Sequence, residues 1–283
     1  MQGEDDGVPT YLAADQVTDF DRDGFLVLPG FADRRACEAL VERAAELRAA
    51  YVPRDRVSVF TTRDQERVSD EYFLSSGPEV RFFFEPDGVT LNKIGHALHD
   101  RDPLFDAFSR DPRLPGIAAD LGLADPVLQQ SMYLVKDAHK GGEVDPHQDA
   151  TFLWTDPVTV TGFWWALQDA TVDNGCLWAW PGGHRQVPLA RRFVRAGAEL
   201  ADDGGTAFAE LAPEVADRPD AYVPLEAEAG TLVVLHGLLP HRSGANTSPR
   251  SRHAYSVHVV ERASTYPPEN WLQRSASDPA RGF

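Results

Sequence analysis

Val158-Thr159-Val160-Thr161-Gly162-Phe163-Trp164-Trp165-Ala166-Leu167 is the stretch that decides the architecture. Its β-branched and aromatic side chains, uninterrupted by charge or proline, favour a pleated strand over a helix. Alternation places Gly162, Trp164 and Ala166 on one face and Phe163, Trp165 and Leu167 on the other. Working outward, residues 127–135, 176–180, 231–235 and 252–260 also read as strands. Asp173-Asn174-Gly175 and Pro181-Gly182-Gly183 supply turns between them. The N-terminal third reads differently. Residues 13–23 look helical, 24–29 form a short buried strand, and Asp33 is placed to cap a helix that turns Cys37, Leu40, Val41, Ala44 and Leu47 to one side. Residues 51–92 read as irregular and aromatic, and short helices are expected at 103–110 and 113–122.

Many short strands behind a helical N-terminal third predict a mainly β chain, a cupin-like jelly roll of two sheets with helices packed outside. Jelly rolls of this length often form one unit, so a single domain over 1–283 is expected. Its 1–125 part is helical or irregular, and 126–283 is the jelly-roll core. Residues 185–229 hold few β signals and much Ala, Arg, Asp and Gly. They read as a long, partly helical insertion of the kind that often serves as a lid.

The chemistry sits at His147-Gln148-Asp149, which follows Gly141, Gly142 and Pro146 and precedes the β-rich run. Both side chains are therefore expected at a strand entry, pointing the same way. Two His and one carboxylate on a β scaffold make the facial triad of a non-haem iron(II) oxygenase, which leaves positions open for chemistry. A local turn pair is the plainer reading of the triplet by itself. The third ligand has two candidates, His236 at the end of an apolar strand and His241 after Pro240. A His on an apolar strand is more often a core residue, and the spacing from His241 to Arg252 suits an Arg one strand further along the same cavity. Both points favour His241. Arg252 can grip a co-substrate carboxylate through two charge-assisted hydrogen bonds. His184, His96 and His99 read as structural. The carboxylate of Asp149 argues against a halogenase, whose site needs Gly or Ala there.

The bulk numbers narrow the partners. A formal charge of −17 argues against nucleic acid and against anionic membranes, which call for a basic face. The terminal residues 1–7 are acidic and lack the pattern of a signal peptide. Two cysteines, Cys37 and Cys176, are too few for a disulfide framework, and a cytoplasmic location is expected.

The chain resembles the phytanoyl-CoA dioxygenase family of iron(II)- and 2-oxoglutarate-dependent oxygenases, in the branch of phytanoyl-CoA dioxygenase domain-containing protein 1. Blocks that carry the likeness include Asp23-Gly24-Phe25-Leu26-Val27-Leu28, Tyr72-Phe73-Leu74-Ser75-Ser76-Gly77 and Asn92-Lys93-Ile94-Gly95-His96-Ala97-Leu98-His99. Gln130-Ser131-Met132-Tyr133, His147-Gln148-Asp149-Ala150, Asn174-Gly175-Cys176-Leu177 and Pro268-Glu269-Asn270-Trp271-Leu272-Gln273 complete them. The resemblance implies a double-stranded β-helix fold, with His147, Asp149 and His241 on iron and Arg252 on the distal carboxylate of 2-oxoglutarate. It also implies that Lys93, Met132 and Trp164 line the co-substrate pocket, whereas the plainer readings are core filler for the last two and a solvated charge for Lys93.

The expected activity is oxidation of an unactivated C–H bond of a small molecule, with iron(II), 2-oxoglutarate and dioxygen consumed in the reaction. Phe82, Phe83, Phe84, Phe152, Trp154 and Trp178 are candidates for an apolar substrate wall. A CoA thioester would call for cations, and Arg185, Arg191, Arg192 and Arg195 form the nearby basic cluster. At −17 overall, a small apolar or polyketide-like metabolite is the better expectation, as in bacterial secondary metabolism. Two competing readings are a cupin-like metal isomerase or hydrolase and a non-catalytic sensor of metal or 2-oxoglutarate.

Overall fold

The computed structural model describes residues 11–52, 71–196 and 205–283. The acidic residues 1–7, with what was expected of them, lie outside the described residues, as do 53–70 of the irregular stretch and 197–204 of the insertion. Helices in chain order are α1 (Ala14–Asp23), α2 (Arg34–Ala50), α3 (Glu71–Leu74), α4 (Leu98–Arg101), α5 (Pro103–Ser109), α6 (Leu114–Asp120) and α7 (Gly183–Gln186). The strands are β1 (Phe25–Leu28), β2 (Val80–Phe84), β3 (Leu91–His96), β4 (Pro126–Lys136), β5 (Val144–His147), β6 (Thr161–Ala166) and β7 (Leu177–Ala179). They continue with β8 (Arg191–Ala196), β9 (Gly205–Glu210), β10 (Val223–Leu225), β11 (Leu232–His236), β12 (His241–Ser243) and β13 (Arg252–Glu261).

Among the described residues, a large sheet runs in the order β1-β11-β6-β13-β4-β3-β2, and a smaller one in the order β10-β7-β12-β5. The pairings within them are antiparallel, which gives the expected jelly roll. The alternation of β6 decides which way the large sheet faces. Phe163 and Trp165 join the helix-side core with Leu40 of α2, Phe105 of α5 and Tyr255 of β13. Trp164 and Ala166 turn inward to a second core with Leu177 and Ala179 of the small sheet. Trp165 is fully buried and stacked on Tyr255, so Trp165→Ala would cost about 3–5 kcal/mol. Tyr255 in turn shares a 2.7 Å hydrogen bond with Ser109 Oγ, which ties α5 to the sheet.

Local signals hold at the helices. Asp33 caps α2 by accepting from the Ala36 N–H at 2.7 Å, and Cys37, Leu40 and Ala44 are the buried stripe. Gly24 ends α1 in the left-handed region, with φ 80°. A Cβ there would also meet His184 Nδ1 at 2.4 Å, so only glycine serves.

Three expectations change. Strand β6 starts at Thr161 rather than at residue 158, because the Val160 carbonyl accepts from Gly237 N–H instead of joining the ladder. Within 51–92, Phe82-Phe83-Phe84 belongs to strand β2, where pairing with β3 satisfies its backbone. The described part of the insertion has as its largest element a hairpin, β8 with β9, and its helical part is limited to the end of α7 and a 3-10 turn at Pro219–Ala221. Phe193 and Phe208 face each other across the hairpin at 5.1 Å and pack on the cluster of Phe73, Phe152 and Trp271, a burial that an Ala-rich helix would not supply.

Candidate metal centre and co-substrate cavity

Strand β5 ends at His147, and its register with β12 places His241 directly opposite. That pairing brings the two rings to 4.2 Å between centroids. Asp149 then opens a 3-10 turn over Asp149–Thr151. The triplet thus leaves a strand rather than entering one. The chain bends here because Gln148 donates to the carbonyls of Val187 and Leu238, while Ala150 N–H donates to Gly237.

Asp149 Oδ1 lies 3.8 Å from His147 Nε2 and 3.7 Å from His241 Nε2. One ligand atom from each residue falls within 4.8 Å of the others, so the three can hold a metal ion. The backbone fixes both imidazoles from behind. His147 Nδ1 lies 2.9 Å from the Asp145 carbonyl and His241 Nδ1 lies 3.0 Å from that of Leu239. A carbonyl only accepts, so Nδ1 carries the proton and Nε2 presents its lone pair toward Asp149. This donor set, two neutral imidazoles and a carboxylate, fits a divalent ion. Burial pushes the Asp149 carboxyl up, but positive charge on His258, His241 and His147, whenever these rings are protonated, outweighs it and draws the group below the usual carboxylate range. His236 stands elsewhere. Its Nδ1 accepts from Leu238 N–H at 3.1 Å, its ring faces Phe20 and His184, and burial lowers its pKa to about 4.

A cavity of about 180 Å³ joins the triad to the other expected residues, since Lys93, Met132, Trp164 and Arg252 all line it. Arg252 is 2% exposed. Its Nη2 donates to the Gly175 carbonyl at 2.9 Å, while Nε and Nη1 have no partner in the protein. Burial lowers its pKa only to about 10, so it remains a cation. A buried cation with two unused donors is costly unless an anion completes it, and a planar carboxylate matches the guanidinium fork. Trp164 lies beside it, 5.7 Å from ring centroid to guanidinium carbon. Lys93 is buried, with Nζ 5.3 Å from the Phe83 ring, and is not a solvated charge.

The sequence reading missed several residues of this cavity. Lys136 donates to the carbonyls of Gly142 and Gly244. Burial and then the charge of Arg252 push its pKa down to about 7. His258 faces Asp149 Oδ2 with Nε2 at 3.2 Å. The signal for it was period two along β13, since Arg252, Ser256 and His258 share one cavity. His96 is buried and structural in its 2.8 Å contact with Ser76, yet it also lines the cavity. His99, packed against Ser131 and the Leu128 carbonyl, is structural as expected. Of the six aromatic residues expected at the substrate wall, Phe152 lines the cavity. Phe82 and Phe84 pack in the helix-side core, Phe83 behind Phe73, Trp154 under Arg192 and Trp178 against Arg242. Phe73 and Trp271, stacked at 4.4 Å, form the wall with Phe152 instead.

A jelly roll with two histidines and an aspartate converging beside a buried arginine defines the class of non-haem metal-dependent oxygenases. A family model described as phytanoyl-CoA dioxygenase (PhyH) matches residues 20–254, and the chain belongs to that family. It is therefore a dioxygenase of the iron and 2-oxoglutarate type. Phytanoyl-CoA dioxygenase domain-containing protein 1 of Mus musculus is 42% identical over 281 residues, covering 93% of this chain and 95% of its own. A phytanoyl-CoA dioxygenase of Arabidopsis thaliana is 39% identical over 282 residues, with 95% and 96% covered. Among solved structures, EctD from S. alaskensis with 2-oxoglutarate and 5-hydroxyectoine superposes with a TM-score of 0.67. Its identity is 20%, with 99% of this chain and 88% of that one covered. No helix among the described residues is long and apolar enough to cross a membrane.

Proposed function

We propose that His147, Asp149 and His241 hold iron(II), and that Arg252 anchors the distal carboxylate of 2-oxoglutarate. Lys93, Met132 and Trp164 line the space between. When bound, iron, 2-oxoglutarate and dioxygen together supply an oxidant able to attack an unactivated C–H bond, with succinate and carbon dioxide as coproducts. The protein's part is positional. Arg252 fixes the orientation of the co-substrate from the far end of the cavity, and Trp164 flanks its guanidinium on the same side of the sheet. Phe73, Phe152 and Trp271 keep water from the opposite end, where the substrate would sit.

The observation that carries this reading is the cavity shared by the triad and a buried Arg252 with two unused donors. The substrate proposed is a small, largely apolar metabolite, polyketide-like and of the kind found in bacterial secondary metabolism, acted on in the cytoplasm. Two facts support a substrate without CoA. The wall facing the triad is aromatic, and the guanidiniums expected to meet CoA phosphates are engaged elsewhere. Arg185 pairs with Asp21, Arg191 with Glu214, Arg192 with Asn270, and Arg195 with the carbonyls of Leu74 and Trp271. Whether the product is hydroxylated, cyclised or epimerised depends on where the substrate radical lies.

The test is anaerobic. Iron(II) is added to metal-free protein, 2-oxoglutarate is titrated, and the visible spectrum is followed. A weak charge-transfer band that requires both additions is expected, and succinate release then screens substrates. Bound metal without the band would overturn the co-substrate assignment and favour a metal isomerase or hydrolase.

A further inference from the structure

Asp149 has two oxygens with different neighbours. Oδ1 faces His147 and His241. Oδ2 faces His258, whose Nε2 is 3.2 Å away. Among the described residues Oδ2 is buried with no other polar partner, and its contact with His258 is the close one it makes. His258 is 5% exposed and is not among the residues whose ligand atoms converge with the triad.

The strand register explains how His258 comes to lie there. On β13 it sits directly across from Gln130 on β4 and Gly162 on β6. The next pairing, Val259 with Leu128, skips Gln129, which is a bulge of the kind that re-aims side chains beside active sites. Gly162 leaves the room needed, for a Cβ there would stand 3.1 Å from Asp149 Oδ2 and 3.5 Å from the His258 ring. Gln130 Nε2 lies 3.2 Å from His258 Nδ1. With the amide nitrogen donating, Nδ1 accepts and the ring proton rests on Nε2, facing the carboxylate. The reversed amide would put the proton on Nδ1 and set the Nε2 lone pair against an anionic oxygen, an arrangement that repels.

Resting on the ligand assignment above, we infer that His258 is a positioning residue. It holds Asp149 Oδ2 so that Oδ1 alone is presented to the metal, and Gln130 holds His258 in the tautomer that does so. A carboxylate free to turn would chelate with both oxygens and consume a position that the co-substrate or dioxygen needs. Behind each of the three ligands there is then one fixed partner: the Asp145 carbonyl, the Leu239 carbonyl and the His258 N–H.

The test measures iron(II) affinity under anaerobic conditions and the visible spectrum of the cobalt(II) protein, beside the thermal midpoint of the metal-free protein. Wild type, Asp149→Ala, His258→Phe, His258→Gln and Gln130→Leu are compared. Losing such a partner typically weakens metal binding about 10–100-fold, and that loss is expected for His258→Phe. Its cobalt spectrum should shift, with the metal-free midpoint little changed. His258→Gln, which keeps a donor, should recover much of the affinity. Gln130→Leu should show a smaller loss in the same direction, and it carries the test should His258→Phe not fold. Wild-type affinity and spectrum in both His258→Phe and Gln130→Leu would overturn the inference. So would a loss in His258→Phe as complete as that in Asp149→Ala, since His258 would then be a ligand. If Asp149→Ala itself binds metal like wild type, the ligand assignment fails instead, and the two failures are told apart.

Discussion

The two ends of the cavity are built on different principles. At one end Arg252 and Lys136 are buried cations set directly across from each other on neighbouring strands of the large sheet, β13 and β4. At the other, Phe73, Phe152 and Trp271 come from α3, from the turn after the triad and from the C-terminal segment. The cationic end is rigid because sheet register fixes every member, and Gly175 and Gly244 supply carbonyls to hold Arg252 and Lys136. The aromatic end is assembled from parts remote in sequence, and the β8–β9 hairpin leans on it through Phe193. On the proposed assignment of co-substrate to Arg252 and substrate to the aromatic wall, the difference teaches where shared chemistry and selectivity would reside. A common co-substrate calls for invariant geometry and gets strands. A particular substrate calls for an adjustable wall, and loops and short elements can be exchanged without disturbing the sheet.

Arg252→Ala probes that division most strongly. Charge-assisted hydrogen bonds contribute about 1.5–3 kcal/mol each, so with two of them lost 2-oxoglutarate affinity should fall by about 100-fold or more in an anaerobic titration of the charge-transfer band. Iron(II) affinity should stay within a few-fold of wild type. Equal loss of both would mean that Arg252 holds the sheet together rather than the co-substrate, and the contrast between the two ends would break. The complementary change is Phe152→Ala at the aromatic end. Phe152 is only half-buried and lies 5.9 Å from the His147 ring. Losing its contact should raise the KM of the substrate about 10-fold, the equivalent of roughly 1.4 kcal/mol of apolar contact, while 2-oxoglutarate affinity holds. A Phe152→Ala protein that loses 2-oxoglutarate instead would show that the two ends are not separable.

How much of this was legible follows the same line. Residues 158–167 announced both faces of β6, and Asp33 announced the start of α2, because those signals are local. The members of the triad are legible as residue types, and the choice of His241 over His236 follows from distance to Arg252. What the sequence hid are contacts that register creates. His258 meets Asp149 only because β13 pairs in register with β6 and Gly162 stands opposite. Phe73 stacks on Trp271 only after the chain has closed. The hairpin of the insertion was hidden for another reason. Ala and Arg favour helices when taken singly, and it is burial of Phe193 against Phe73 and Trp271 that makes a strand of residues 191–196.

The smallest effect expected is also the one that tests the cationic end most finely. Burial and the neighbouring Arg252 push the Lys136 ammonium down to about 7, well below its ordinary 10.5. In the free protein the unfolded chain therefore holds this proton more readily than the folded one between pH 7 and 10.5. Folding stability from this group rises with pH across that window. Co-substrate binding has the opposite sign. A dianion in the cavity favours charged Lys136, so binding takes up a proton, and 2-oxoglutarate affinity should fall several-fold as pH rises from 6.5 to 8.5. Lys136→Met removes the titrating group, leaving Arg252 as the anchor. It should bind more weakly than wild type at pH 6.5, match it at pH 8.5, and show a flat profile between. An unaltered slope in Lys136→Met would place the proton uptake on another group and leave Arg252 as the sole cation that the co-substrate senses at this end.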